Sequence, residues 1–230
     1  MSLDLNLLGA ISRLIDEFWD TNYGRATEEP NTYTTRRMGN FNVVLLCLSN
    51  VGKSSAAGAT AYLRMSYSKL KLVLLTGICG GVPRSGESEE ILLGDVVIDS
   101  LDDNLGRPTK NARNFVTPFK IDMERENLED QAASQHVYDE CNGASVAVCE
   151  EPRRVSCKDL GCDENELLQR ERLKEKRILE SRGEIKEAQG PCVFVGRFGS
   201  GDTVLKSGEY RNVIAKRHDL MAFEMEGLGV

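Results

Sequence analysis

FNVVLLCLSNVGKSSAAGATAYLRMSYSKLKLVLLT, residues 41 to 76, decides how this chain folds. Its opening run, Phe41 to Leu48, is nearly continuous in apolar residues, as in a strand buried on both faces of a parallel sheet. Ser54 to Met65 follows with an alanine-rich helical composition, and Leu70 to Thr76 reads as a second buried strand. Strand, helix and strand in so short a span predict a βαβ unit, hence a parallel pair with a right-handed crossover. Between strand and helix lies NVGKSS, Asn50 to Ser55. A phosphate-cradling nucleotide loop needs a glycine five residues before its Gly-Lys pair, and that position here is Cys47. Gly52 is therefore read as a tight turn, with Ser54 or Ser55 capping the helix.

Working outward, Asp95 to Asp99 (DVVID), Cys192 to Gly196 (CVFVG) and Leu220 to Phe223 (LMAF) read as further strands. Ser207 to Arg217 is a helix between the last two. Upstream, Leu7, Leu8, Ile11, Leu14, Ile15, Phe18 and Trp19 recur at helical spacing and predict an amphipathic helix over Leu5 to Trp19. Asn31 to Arg36, rich in Thr and Tyr, suits a strand. From Leu101 to Glu151 the pattern is weak and implies long loops and short helices. Cys162 to Gln189 is so dense in charge that a solvated helix or helix pair is expected. Together residues 101–190 form a loop-rich, charged insertion within a single domain spanning 1–230.

The chain has 230 residues, 40% hydrophobic and 28% charged, which fits one large α/β domain. No run approaches the roughly 20 apolar residues of a membrane helix. A formal charge of −7 argues against a nucleic-acid backbone as partner, because such proteins carry a basic footprint. The seven cysteines, an odd number, and the lack of a secretion signal point to reduced thiols in the cytoplasm. Cys157 and Cys162 have zinc-pair spacing, but four ligands are needed and the histidines are only His136 and His218. No metal site is expected.

Three loops carry residues suited to chemistry. TGICGGVP, Thr76 to Pro83, leaves a strand end with Gly77, Gly80 and Gly81 free to turn and present N–H groups. A structural turn or a ligand loop both fit it. SGDTV, Ser200 to Val204, follows the CVFVG strand, and FEMEG, Phe223 to Gly227, ends the LMAF strand. In open α/β sheets, ligands bind at the carboxyl ends of strands. Glu224 and Glu226 lie one residue apart in an otherwise apolar segment, where burial without partners is costly. Either Glu226 caps the next helix, or a ligand supplies hydroxyl donors.

Five blocks, in order, resemble the nucleoside phosphorylase and nucleosidase superfamily, in particular the forms found in fungal multidomain proteins. They are VVLLCLSNVGKSSAA, LVLLTGICGGVP, EEILLGDVVI, GSGDTVLKSGEYRNVIAK and AFEMEG. CKDLGCDENELLQRERL is similar to an insertion of the fungal forms. The resemblance implies a three-layer α/β/α fold with a central mixed, mostly parallel sheet and a site at the strand ends. It implies cleavage of the N-glycosidic bond of purine nucleosides, by phosphate or by water. Glu226 is the implied catalytic carboxylate, with Glu224, Met225 and Glu226 on the ribose. Gly77, Ile78, Cys79, Gly80 and Gly81 match the loop near phosphate or water, and Ser200, Gly201, Asp202, Thr203 and Val204 the loop lining the base. No cofactor is implied beyond phosphate as co-substrate, and a homo-oligomer is expected.

Departures from the family pattern accompany the match. Ile78 stands where many relatives place serine or threonine beside phosphate, and Leu75 where some use arginine. Family members usually open with a strand carrying a glycine-containing or acidic loop, whereas here the chain passes directly into the helix. The family's general-acid aspartate is expected beyond Val230, so the domain is expected to be incomplete at both ends. A second reading is a nucleoside-sensing, catalytically weak module of a larger protein.

Overall fold

In a computed structural model of the chain, the described residues are 17–18, 26, 29–85, 89–101, 109–134 and 170–227. The strands are β1 (Glu17–Phe18), β2 (Tyr33–Met38), β3 (Phe41–Leu46), β4 (Gly80–Gly81), β5 (Arg84–Ser85), β6 (Glu89–Glu90), β7 (Val96–Asp99), β8 (Val193–Ser200) and β9 (Leu220–Glu224). The helices are α1 (Lys53–Ser66), α2 (Lys110–Val116), α3 (Asp122–Ser134), α4 (Glu171–Ser181), α5 (Ile185–Gln189) and α6 (Gly208–His218).

The sheet that matters for function has the order β4-β9-β8-β7. β7 with β8 and β8 with β9 are parallel, and β4 with β9 is antiparallel. This is a mixed, mostly parallel sheet of the α/β class, as the sequence implies. α6 returns the chain from β8 to β9, and Ser207 caps it by accepting from the Tyr210 N–H at 3.2 Å. Asp219, left-handed at φ 55°, ends it. Val82, Ala215 and Leu220 form a buried cluster, with Ile214 and Phe223 packed against it. Gly199 is required by close approach: a Cβ there would lie 2.8 Å from the Phe223 ring and from Leu220 Cδ1.

The amino-terminal segment is organised differently from the expected βαβ unit. β3 does not pair with residues 70–76. It pairs with β2 as an antiparallel hairpin, from Tyr33 opposite Leu46 to Met38 opposite Phe41. Gly39, at φ 54°, opens the two-residue turn. Closing so short a loop costs less chain entropy than a crossover through a helix. Residues 70–79 have no strand pairing, and Val73, Leu74 and Leu75 are 37%, 58% and 43% exposed. Of the helix expected over Leu5 to Trp19, residues 5–16 and 19 lie outside the described ones; Glu17 and Phe18 are strand, paired with Arg37 and Arg36. Cys157 and Cys162 also lie outside.

α1 buries Ala56, Thr60 and Leu63, positions four and three residues apart on one face. Its N-cap is Gly52 with no side-chain cap, and Ser54 and Ser55 lie inside the first turn instead of capping it. A polar network fixes its far end. Ser66 Oγ donates to the buried Glu29 at 3.0 Å, and Asn31 Nδ2 donates to the Ala59 carbonyl at 2.9 Å. Tyr67 packs edge-on against the fully buried Tyr33, whose hydroxyl is pushed up to about 12, chiefly by burial.

The charged insertion is held to the sheet by two arginines. α4 and α5 are the helix pair expected of this segment, and α4 itself buries no residue. Just before and inside its first turn, however, Arg170 and Arg172 reach inward. Arg172 donates to both oxygens of Asp95, at 2.5 and 2.6 Å, and to the Glu90 carbonyl at 2.8 Å. The Asp95 side chain is 1% exposed and also accepts from the N–H groups of Leu92 and Cys192. Arg170 donates to Glu90 at 2.7 Å. Burial would raise both carboxyls, but the arginine bonds outweigh it and hold Glu90 and Asp95 below their ordinary values.

Replacing Asp95 by Asn should therefore cost about 3 kcal/mol in urea unfolding, because Arg172 is left mostly buried with one partner's charge removed. The native protein should hold this contribution fully above the unfolded aspartate's pKa of about 4. It should lose it as the pH falls through the lower folded value, so acid unfolding of Asp95→Asn should be shallower.

Candidate active site

The parallel register of β8 and β9 sets Ser200 beside Glu224, with an irregularity between Arg197 and Phe198. The two strands therefore end level, and the loops SGDTV and EMEG leave side by side. The Gly201 N–H donates to the Glu224 carbonyl at 3.1 Å, extending the pairing by one bond. Loops that leave neighbouring parallel strands at their carboxyl ends are where such sheets bind ligands.

Glu224 folds the turn after β9 around its own carboxylate. Its Oε2 accepts from the Glu226 N–H at 2.6 Å and the Gly227 N–H at 2.5 Å. One of the two oxygens expected to face ribose is thus engaged by the backbone. Gly227 lies so near that a Cβ would stand 2.6 Å from Glu224 Oε1. Met225 is half-buried between the two glutamates.

Glu226 points the other way, toward the start of α1. Its Oε1 accepts from the Gly52 N–H at 2.9 Å. The next N–H, Lys53, donates to Asp202 Oδ1 at 3.1 Å, and Lys53 Nζ lies 3.1 Å from Asp202 Oδ2. These Lys53 bonds, the side-chain one first, hold the Asp202 carboxyl below its ordinary value. NVGKSS, which looked like a phosphate loop, has its first two helical N–H groups and its ammonium directed at carboxylates of the same chain. Sequence reasoning missed this convergence; nothing in spacing relates residue 52 to residue 226.

The glycine segment is split by the structure. Gly80 and Gly81 are not a turn. They form β4, opposite Phe223 and Ala222, and the Val82 N–H donates to the Met221 carbonyl at 2.8 Å. None of Gly77, Gly80 and Gly81 has positive φ; at Gly81 a Cβ would stand 3.2 Å from Ile91 Cγ2, a tight contact. Cys79 comes beside Glu224, and its thiol is pushed up by burial and then by that carboxylate's charge. Gly77 and Ile78 are exposed, Ile78 at 68%. Thr203 and Val204 are exposed on the base-side loop. The structure thus brings together Cys79, Gly80, Gly81, Ser200, Gly201, Asp202, Glu224, Met225 and Glu226, and leaves Gly77, Ile78, Thr203 and Val204 at the surface.

Among known proteins, a nucleotide-binding leucine-rich repeat (NLR)-like protein of Hyaloscypha variabilis is 25% identical over 244 residues, covering 92% of this chain. The chain spans only 23% of that relative's length. Solved structures with similarity include a 5'-methylthioadenosine/S-adenosylhomocysteine nucleosidase from Neisseria meningitidis, at 18% identity and a TM-score of 0.48, covering 100% of this chain and 74% of that one. Another is an S-adenosylhomocysteine nucleosidase from Streptococcus pyogenes, at 16% identity and a TM-score of 0.47, covering 96% and 70%. The family description "Phosphorylase superfamily" matches residues 5–230. The match takes in both strand-end loops and the α1 turn, and the chain belongs to the phosphorylase superfamily.

Proposed function

We propose that the ends of β8 and β9 hold a purine nucleoside and break its N-glycosidic bond. The observation that carries this reading is Glu226, half-buried at the end of β9 with one oxygen already fixed by the Gly52 N–H. A carboxylate so placed accepts hydrogen bonds from the two cis hydroxyls of ribose. As the C1′–N bond lengthens, its electron pair leaves with the base and positive charge grows on the ribosyl ring. The fixed negative charge of Glu226 stabilises that cation, and a preorganised contact of this kind is worth on the order of 3 kcal/mol. Met225 beside it offers an apolar surface to the sugar. Ser200, Gly201, Thr203 and Val204 are assigned to the base side, and Cys79, Gly80 and Gly81 to the side from which the nucleophile attacks C1′.

Water is favoured as that nucleophile over phosphate, because the side chains of Ile78 and Leu75, at positions where relatives place serine, threonine or arginine for phosphate, donate no hydrogen bond. Phosphate is the alternative co-substrate, and no other cofactor enters the proposal. Among the described residues Cys47, Cys79 and Cys192 are free thiols, and no helix is long and apolar enough to cross a membrane. Both fit a cytoplasmic protein, which we propose acts as a homo-oligomer. A second reading, a nucleoside-sensing module with little turnover, is favoured by the match to less than a quarter of a long NLR-like relative.

Incubation with adenosine, inosine, guanosine, uridine and methylthioadenosine, followed by chromatography of free base, tests the first reading. Purine release without phosphate is expected, and a strict need for phosphate would overturn the hydrolytic assignment. Glu226→Gln should lower kcat/KM by about 10² to 10³; full turnover by that variant would remove Glu226 from the ribose site. Tight nucleoside binding by calorimetry with no base released would favour the sensing module.

Gly52→Ala should also cost turnover. At φ 102° and ψ 154°, alanine is strained by on the order of 1–3 kcal/mol, and relief of that strain would turn the N–H away from Glu226. Steady-state kinetics at saturating nucleoside would show the loss as a lower kcat.

A further inference from the structure

Two consecutive N–H groups begin α1, and each ends on a carboxylate brought by a different strand. Gly52 donates to Glu226 from the turn after β9, and Lys53 donates to Asp202 from the loop after β8. The first N–H groups of a helix have no intrahelical partner, and the helix dipole favours negative charge there. Lys53 Nζ then closes on the second Asp202 oxygen at 3.1 Å, so one residue grips both oxygens of one carboxylate. Gly52 suits this turn because φ 102° and ψ 154° lie in a backbone region essentially reserved for glycine; space is not the constraint, since a Cβ would stand an ordinary 3.5 Å from Asp202 Oδ1.

We propose that Asp202, gripped by Lys53, is a positioning residue: it fixes the Gly52–Lys53 turn so that the Gly52 N–H holds Glu226 in one orientation. This inference rests on the ribose-binding reading of Glu226. It reassigns Asp202 from lining the base to orienting the catalytic carboxylate through two residues of another element. The pair has roughly half of each side chain exposed, 47% for Lys53 and 48% for Asp202, and exposed pairs add little to stability. Variants therefore fold, and their effect falls on geometry.

The test measures Asp202→Asn, Lys53→Met and Lys53→Arg, each alone and combined with Glu226→Gln. Asp202→Asn and Lys53→Met should each lower kcat about tenfold with a smaller change in KM, and Lys53→Arg should restore most of it. In the Glu226→Gln background neither should cost anything more, because residues acting through one group are not additive. An equal loss in both backgrounds, or no loss in either, would overturn the proposal.

A second readout needs no turnover. By amide hydrogen exchange, the Gly52 N–H should exchange about tenfold faster in Asp202→Asn than in the native protein, at an unchanged unfolding midpoint. Unchanged Gly52 exchange would overturn the positioning role whatever the kinetics. If the native protein released no base while Asp202→Asn still loosened the Gly52 amide, the catalytic reading would fall and the positioning of Glu226 would stand.

Discussion

The parallel alignment of β8 and β9 is the constraint on which the site depends. Side chains alternate along a strand, so a one-residue slip would turn Glu224 and its neighbours to the opposite face. The register is set from below by packing. Gly196 and Gly199 leave room for Met221, Leu220 and Phe223 to lie across β8, where any Cβ would collide with them. It is set from above by the Gly201 N–H bond to Glu224. With that alignment fixed, two loops far apart in sequence emerge at one level, and the α1 turn needs only its N–H groups to tie them together.

The elements around this alignment were legible because their signals are local. CVFVG and LMAF are short apolar runs with β-branched and aromatic residues, and Ser207 stands where a helix N-cap must be. The strands extend a little beyond those runs, to Ser200 and Glu224. LKLVLLT carried the same apolar signal, yet residues 70–79 pair with nothing in strand fashion. Apolar content states a tendency to be buried; it does not name the partner strand, and β3 found its partner across a two-residue turn.

The site was legible as a set of loops and illegible as a set of bonds. Glu226 stood out because a carboxylate in an apolar segment needs a reason. Its contact with Gly52 spans 174 residues, and no periodicity reports on such a distance. The same holds for Arg172. In ERLKEKRILE it is one cation among many, and only the folded chain shows that it is the one enclosed by Asp95 and Glu90.

That enclosure changes what the charged insertion is. Residues 101–190 look, by composition, like a segment that could be shortened freely, since surface loops tolerate changes in length. Arg170 and Arg172 make its last part a structural member of the sheet, because Asp95 begins the approach to β7 and also receives the Cys192 N–H at the entrance to β8. The earlier part is tied in as well, since Glu129 of α3 accepts from the Val193 N–H of β8 at 2.6 Å, so a shortened version must keep both α3 and the two arginines. Any deletion that includes the arginines leaves two buried carboxylates without their countercharge, at the point where the parallel strands begin.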